Sequence, residues 1–363
     1  MWILSLILAL ILVAALQVWF FQRYGFKKLS YKRWFEPSVA NEGDPILMYE
    51  TVRNEKLLPL PWVRIEAQIS PNIVFGDMEE DTADERRFQR SIFSLAPYMN
   101  ITRRHFVKAK KRGYYSIRSV AISTGDLLGL SKRRPRNFET DTLLVVYPTL
   151  LPIEDVLADK NSFTGDVVVR RWIVEDPFMI RGVRAYTSSD PYNHINWKAT
   201  ARTGELQVHD FDYTADIKLM IVVNVDTSST QWSVSLDEKT SERALSMAAT
   251  VAQYAIDNGI ETGFACNGRI VLEDPKEQMF LAPQSGPEHL TAIYESIARI
   301  LLQRTVNFHT FLQTQAPNIP DNCDILLITA YTDENIDQQI EALRGAGRYV
   351  EILNPYGRSE AQA

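Results

Sequence analysis

The chain has 363 residues, 45% hydrophobic and 23% charged, an ordinary globular composition that argues against long-range disorder. A net charge of −6 implies no broad basic face, so nucleic acid is not an expected partner. The two cysteines, Cys266 and Cys323, form no Cys-x-x-Cys pair; they are too few for a thiolate zinc site and fit reduced, buried thiols of a cytosolic compartment.

Residues 1–22, MWILSLILALILVAALQVWFFQ, carry no charged side chain. As a helix they would measure about 33 Å, enough for one crossing of a bilayer core ~30 Å thick. Trp19, Phe20 and Phe21 then sit at the interfacial level where aromatic side chains gather. The segment lacks the basic start and small-residue cleavage site of a secretory signal, so it reads as an anchor. Arg23, Lys27, Lys28, Lys32 and Arg33 follow with no acid before Glu36. By the positive-inside rule this flank faces the cytoplasm, which predicts a single N-terminal span in the inner (cytoplasmic) membrane with the soluble domains in the cytoplasm.

Residues 37–150 read as β-rich. In 63-VRIEAQI-69 apolar and polar residues alternate with the period of a strand that buries one face. Similar runs stand at 46–52, 114–122 and 142–148, separated by Gly43-Asp44-Pro45, Pro59-Leu60-Pro61, Gly113 and Gly125-Asp126. Many short strands with this punctuation predict a β-sandwich-like domain. The charged run 76–87 has no apolar period and reads as a solvated loop.

Residues 160–215 are rich in charge and aromatics without a clean period, too aromatic for a linker. From 216 to 355 the pattern changes. A continuous apolar strand, 218-KLMIVVNVD-226, is followed by a helix over 238–258 ending at Gly259. Short strands come next at 261–266 and 269–273, then a helix over 287–303. A buried strand at 324–329, a helix at 334–344 and a last strand at 349–353 complete the run. Apolar strands alternating with helices predict an α/β domain whose largely parallel, Rossmann-like sheet is covered on both faces. The tail after Pro355 reads as polar and frayed.

Several motifs then stand in a known order. Gly182, Arg184, Tyr186, Asp190, His194, Ile195, Asn196, Trp197, Lys198, Thr200, Ala201 and Arg202 resemble the signature of the DUF58 family. Upstream, 111-KRGYY-115 and 124-TGDLLGL-130 resemble another segment of that family, and 42–63 resembles its β-rich opening. The strand ending in 226-DTSST-230 resembles the start of the von Willebrand factor A (vWA) domain that the family carries. The resemblance implies a membrane-associated, non-enzymatic interaction or adaptor protein that works with a MoxR-type AAA+ ATPase and client proteins. Members often have two N-terminal spans, whereas this chain shows one.

The metal-ion-dependent adhesion site of such domains combines an Asp-x-Ser-x-Ser loop with a Thr and an Asp from two further loops. Oxygen-only ligands of this kind suit a hard cation such as Mg²⁺. Asp226, Ser228 and Thr230 fill the first loop, and the carboxyl end of a strand is where open α/β sheets gather ligands. Ser285 or Thr291 would have to supply the second limb, and Asp333 the third. The site therefore looks degenerate, and two readings stay open at Asp226: a Mg²⁺ limb, or a carboxylate bonding loop amides, with Asp333 capping the next helix. Arg181, Arg184, His194, Trp197, Lys198 and Arg202 are candidate partner-binding residues. Their alternative is structural, with Trp197 packed and Arg202 paired to an acid such as Asp190. No nucleophile-and-base motif, metal-ligand pair or phosphate-binding loop appears, so no enzyme activity is expected.

Overall fold

The computed structural model describes residues 2–76, 87–126, 129–130, 135–157, 175–187, 190–213, 218–229, 237–274 and 276–356. The charged run at 77–86, most of the tail, and Thr230 lie outside them. The chain forms two compact units, Met1–Thr149 and Leu150–Ala363.

The first unit opens with helix α1 (Trp2–Tyr24), apolar almost throughout. Just beyond the helix, the half-buried Lys56 donates Nζ to the carbonyls of Gly25 and Lys27, at 2.7 Å each, which sets a cation at the negative end of the helix dipole. Burial lowers that ammonium group to about 8. Nine strands follow among the described residues: β1 (Leu29–Glu36), β2 (Val39–Asn41), β3 (Pro45–Asn54), β4 (Leu60–Ile69), β5 (Ile73–Phe75), β6 (Arg87–Leu95), β7 (Asn100–Ala109), β8 (Gly113–Thr124) and β9 (Arg136–Tyr147). They build one sheet in the order β1-β3-β7-β5 and another in the order β2-β9-β8-β4-β6. Inward residues of both, such as Met48 and Val52 from the first and Ile65, Ile122 and Leu144 from the second, share one core. Two sheets closed on a common core make a β-sandwich, which the period-2 patterning predicts.

The sandwich begins earlier than the composition suggests. Strand β1 covers 29–36, alternates strictly between buried and exposed, and pairs with β3 along its whole length. This changes the account of the basic flank. Lys32 is exposed, but Arg33 points inward and is buried, with its Nη2 2.7 Å from Glu50 Oε1. Tyr31 donates its hydroxyl to the same oxygen at 2.7 Å, and His105 Nε2 stands 3.5 Å from Oε2. Four of the five flanking cations thus remain at the surface, and the fifth neutralises a carboxylate inside the protein. Burial by itself raises the Glu50 carboxyl, but His105, Arg33, Ser91 and Tyr31 outweigh it and bring it down to about 2 from an ordinary 4.5.

The second unit contains α2 (Ile153–Leu157), β10 (Glu175–Ala185), α3 (Trp197–Thr203), β11 (Gln207–Tyr213), β12 (Lys218–Val223), α4 (Glu238–Asp257), β13 (Glu261–Cys266), β14 (Gly268–Ile270), β15 (Met279–Gln284), α5 (Pro287–Arg299), β16 (Ile300–Arg304), α6 (Phe308–Gln315), β17 (Cys323–Ile328), α7 (Glu334–Gly345) and β18 (Val350–Leu353). Its main sheet has the order β15-β13-β12-β17-β18, parallel except for the β15 edge. Strand β12 is central. Its Leu219, Ile221 and Val223 pack with α4 and α5 on one face, and its Met220 and Val222 with α6 and α7 on the other. A continuous apolar run is what a strand buried on both faces requires. Helix α4 starts on Asp237, which accepts from Thr240 N, and ends at Gly259 (φ +81°), where Ile260 N donates to Ala255 O. Cys266 and Cys323 are buried free thiols.

Three elements depart from the periodicity. The helix expected to reach 303 stops at Arg299, and Ile300–Arg304 becomes an antiparallel partner of β14. Ile297 and Leu301 share a helical spacing, but pairing with β14 satisfies the backbone of both strands. It needs Gly268, because a Cβ there would come within 2.5 Å of Ile300 Cγ2. Strand β15 and helix α6 were not apparent from the pattern.

Removing one partner of a fully buried ion pair strands the other charge, at a cost of about 3–5 kcal/mol. Arg33→Met and Glu50→Gln are each expected to lower the stability of the sandwich substantially. The double replacement should cost less than their sum in a denaturant double-mutant cycle. Because Glu50 is depressed in the folded state, its contribution is complete above about pH 4.5 and is lost as the pH falls towards 2. Acid titration of the folded chain should show that loss, and Glu50→Gln should flatten it.

Candidate functional site

The carboxyl edge of the parallel sheet carries a buried amide network. Directly after β12, Asn224 and Asp226 are buried; Asn267 follows β13 and Thr329 follows β17, both also buried. Asn267 Oδ1 accepts from Val225 N at 2.9 Å, and its Nδ2 donates to Asn224 Oδ1 at 3.0 Å. The same Asn224 oxygen accepts from Asp226 N at 3.0 Å, and Asn224 Nδ2 donates to Thr329 Oγ1 at 3.1 Å. Thr329 in turn donates its hydroxyl to Tyr331 O at 2.7 Å. Three strand ends are thereby tied by two asparagine side chains that use both donor and acceptor. Such networks are most valuable where water is excluded.

The carboxylate of Asp226 faces a cation that belongs to the chain. Arg304 Nη1, from the end of β16, lies 3.5 Å from Asp226 Oδ2, and Asn267 Nδ2 reaches the same oxygen at 3.5 Å. Burial pushes the Asp226 carboxyl up to about 6, against the opposing pull of Arg304 and Asn267. Tyr331 packs close by; its hydroxyl is raised by burial and by the charge of Asp226.

The other expected metal limbs have local partners or positions of their own. Asp333 caps α7, accepting from Ile336 N at 2.8 Å. Ser285 and Thr291 lie beyond the end of β15, which runs antiparallel, with Gln284 opposite Thr262 at the start of β13. Five residues of strand, about 16 Å, separate Thr262 from Asn267. Thr291 also bonds its own helix, donating to Pro287 O at 2.9 Å. Ser228 is half-buried in the turn after Asp226, and Thr230 lies outside the described residues. Among the described residues no group of three or more His, Cys, Asp or Glu side chains converges on a metal position. The positive charge that faces Asp226 comes from Arg304. Asn267, just after β13, and Arg304, the last residue of β16, carry no signal in the sequence, and only the pairing of β14 with β16 carries Arg304 to Asp226.

The 182–202 segment forms a second surface. Arg184 grips Asp190 with two bonds of 2.8 and 2.6 Å, and Thr187 donates to the same carboxylate through N and Oγ1. These bonds, Arg184 first, hold the Asp190 carboxyl well below the usual carboxylate range. Asp190 is therefore the partner of Arg184, not of Arg202 as expected. Asn196 caps α3 by accepting from Ala199 N at 2.9 Å, and the helix ends on Gly204 at φ +76°. Trp197, which the structural alternative would pack, is 68% exposed, and Tyr192 is 75% exposed. Lys198 and Arg202 are exposed on the same short helix, and His194 is half-buried before it. Arg181 lies within β10, but its side chain is outside the described residues.

Comparison with known proteins agrees with the signature. The family described as "Protein of unknown function DUF58" matches residues 182–344, so this region carries the DUF58 pattern. The "Uncharacterized protein YeaD" of Bacillus subtilis (strain 168) is 22% identical over 275 residues, 76% of this chain. The chain spans 63% of the length of that curated relative. Among solved structures, a CARDB domain from Pyrococcus furiosus aligns with 33% of this chain and 96% of its own at 12% identity and a TM-score of 0.23. A non-cellulosomal cohesin from Archaeoglobus fulgidus aligns with 37% of this chain and 99% of its own at 8% identity and a TM-score of 0.22.

Asn267→Ala would leave the buried Val225 N without its acceptor, at a cost of about 1–3 kcal/mol. Asn224→Ala should cost a similar amount. Because the two amides bond each other, a urea-denaturation cycle should show a coupling of more than about 0.5 kcal/mol.

Proposed function

We propose that this chain is a membrane-anchored, non-enzymatic interaction protein whose second unit is a vWA-type domain, acting as an adaptor for a MoxR-type AAA+ ATPase. Its clients would be envelope or other protein complexes undergoing assembly or maturation. The observation that carries this reading is the surface at 184–202. There two large aromatic side chains, Tyr192 and Trp197, stand exposed beside Lys198 and Arg202 on an element capped and braced from below. Exposed aromatic anchors next to cations are the composition of a protein-binding surface, and a rigid support lowers the entropic cost of docking. The strand order β15-β13-β12-β17-β18, with its single antiparallel edge, supports the vWA-type assignment.

Placement of the soluble units in the cytoplasm rests on the four exposed cations Arg23, Lys27, Lys28 and Lys32 after α1. A carboxyl-terminal alkaline phosphatase fusion is accordingly expected to be inactive, and an active fusion would overturn that placement. Affinity purification of the full chain from its native membranes, with nucleotide present, should recover an AAA+ ATPase. Trp197→Ala combined with Lys198→Glu should deplete that ATPase. Recovery of no AAA+ protein, or undiminished recovery with the double variant, would count against the adaptor.

A divalent-cation-dependent adhesion module is the competing reading, favoured by the Asp226-x-Ser228 spacing. With Arg304 facing Asp226, millimolar Mg²⁺ is expected to leave the melting temperature of the wild-type chain unchanged. A Mg²⁺-dependent rise that Asp226→Ala abolishes would favour the adhesion module.

A further inference from the structure

Helix α1 is not free over its whole length. Ala14, Gln17, Val18, Phe21, Tyr24 and Gly25, which recur at helical spacing, form a stripe that is partly or fully covered, while Val13, Leu16, Trp19 and Phe20 on the other faces stay exposed. Two points of the connection between β8 and β9 lie along this side. At its base, a Cβ added to Gly25 would meet Thr124 Cγ2 at 3.1 Å. Further along, Leu130, 61% exposed, lines one groove together with Ile11, Ala14, Val18, Trp19 and Gln22. Thr124 thus lies level with the end of α1, and Leu130 lies further back along the helix.

Lengths decide what this means. The 23 residues of α1 make a helix about 34 Å long, and a bilayer core of ~30 Å takes about 20 of them. Any such crossing includes Ala14 to Phe21. If the core began beyond the covered stripe, only the 12 residues Trp2–Val13 would remain, about 18 Å of helix. A chain anchored by α1 must then bring Leu130 into the bilayer with it.

We propose that Leu130, between β8 and β9, is a second point of membrane insertion, presented to lipid acyl chains beside α1. This rests on α1 spanning the membrane. The sequence suits the surroundings: 126-DLLGL-130 is rich in leucine, and 131-SKRRPR-136 supplies cations that complement anionic headgroups. The aspartate that opens this stretch is no obstacle, because Asp126 is buried, with its Oδ2 accepting from Leu130 N at 3.2 Å.

The test uses the full chain in lipid nanodiscs. The native thiols, Cys266 and Cys323, are buried, so an environment-sensitive fluorophore can be placed on Leu130→Cys, with Arg136→Cys, Trp19→Cys and Arg53→Cys as companions. Lipids with a quencher on the acyl chain should remove most of the emission at 130 and at 19, less at 136, and almost none at 53. Quenching at 19 without quenching at 130 overturns the insertion of Leu130 and leaves the anchor standing. No quenching at 19 overturns both. Quenching at 130 should deepen when phosphatidylglycerol replaces phosphatidylcholine; equal quenching in both lipids would overturn the headgroup contribution.

Discussion

The two-sided burial of strand β12 is the constraint on which the second unit depends. Leu219, Ile221 and Val223 feed one core while Met220 and Val222 feed the other. A strand with no face to water can only sit in the middle of a sheet with helices on both sides. It then delivers whatever follows Val223 to the carboxyl edge. Asn224, Asp226 and their partners from β13 and β17 collect there because parallel strands end together. The same parallelism sends the end of the antiparallel β15 to the far edge, which removes Ser285 and Thr291 from the neighbourhood of Asp226.

That edge illustrates how a buried carboxylate is stabilised by groups of the chain itself. Isolated burial of Asp226 would be costly. The chain offsets it with one guanidinium at 3.5 Å and with amides that are themselves fully engaged. In the sandwich, Glu50 meets the same difficulty and resolves it differently, with Arg33 and Tyr31 both at 2.7 Å and a carboxyl brought down to about 2. Close, direct donors lower one carboxyl, while a longer contact leaves the other at about 6.

Arg33 also shows why local charge counting reaches only so far. Its neighbours Lys32 and Trp34 are exposed, so the alternation of β1 puts it inside. A run of cations after an apolar helix reads as a juxtamembrane flank, yet in a strand every second member belongs to the interior. At the other end of the same region, α1 reads in isolation as a helix surrounded by lipid. The covered stripe from Ala14 to Gly25 shows that part of its surface faces protein.

The sequence by itself determined the elements whose signal is a period. These are the apolar helix α1, the alternating strands of the sandwich, the two-sided strands β12 and β17, and the helix ends at Gly259 and Asp333. Each depends on residues adjacent or nearly adjacent in the chain, so each is legible locally. The tertiary structure alone decided which side chains meet. Arg304 reaches Asp226 because β16 pairs with β14, in place of the helical turn that the spacing of Ile297 and Leu301 suggests. Asp190 belongs to Arg184 through the geometry of one turn, and Trp197 remains at the surface because α3 is short and faces outward. Such contacts join residues that no period relates, since they are chosen by competition among pairings across the whole fold.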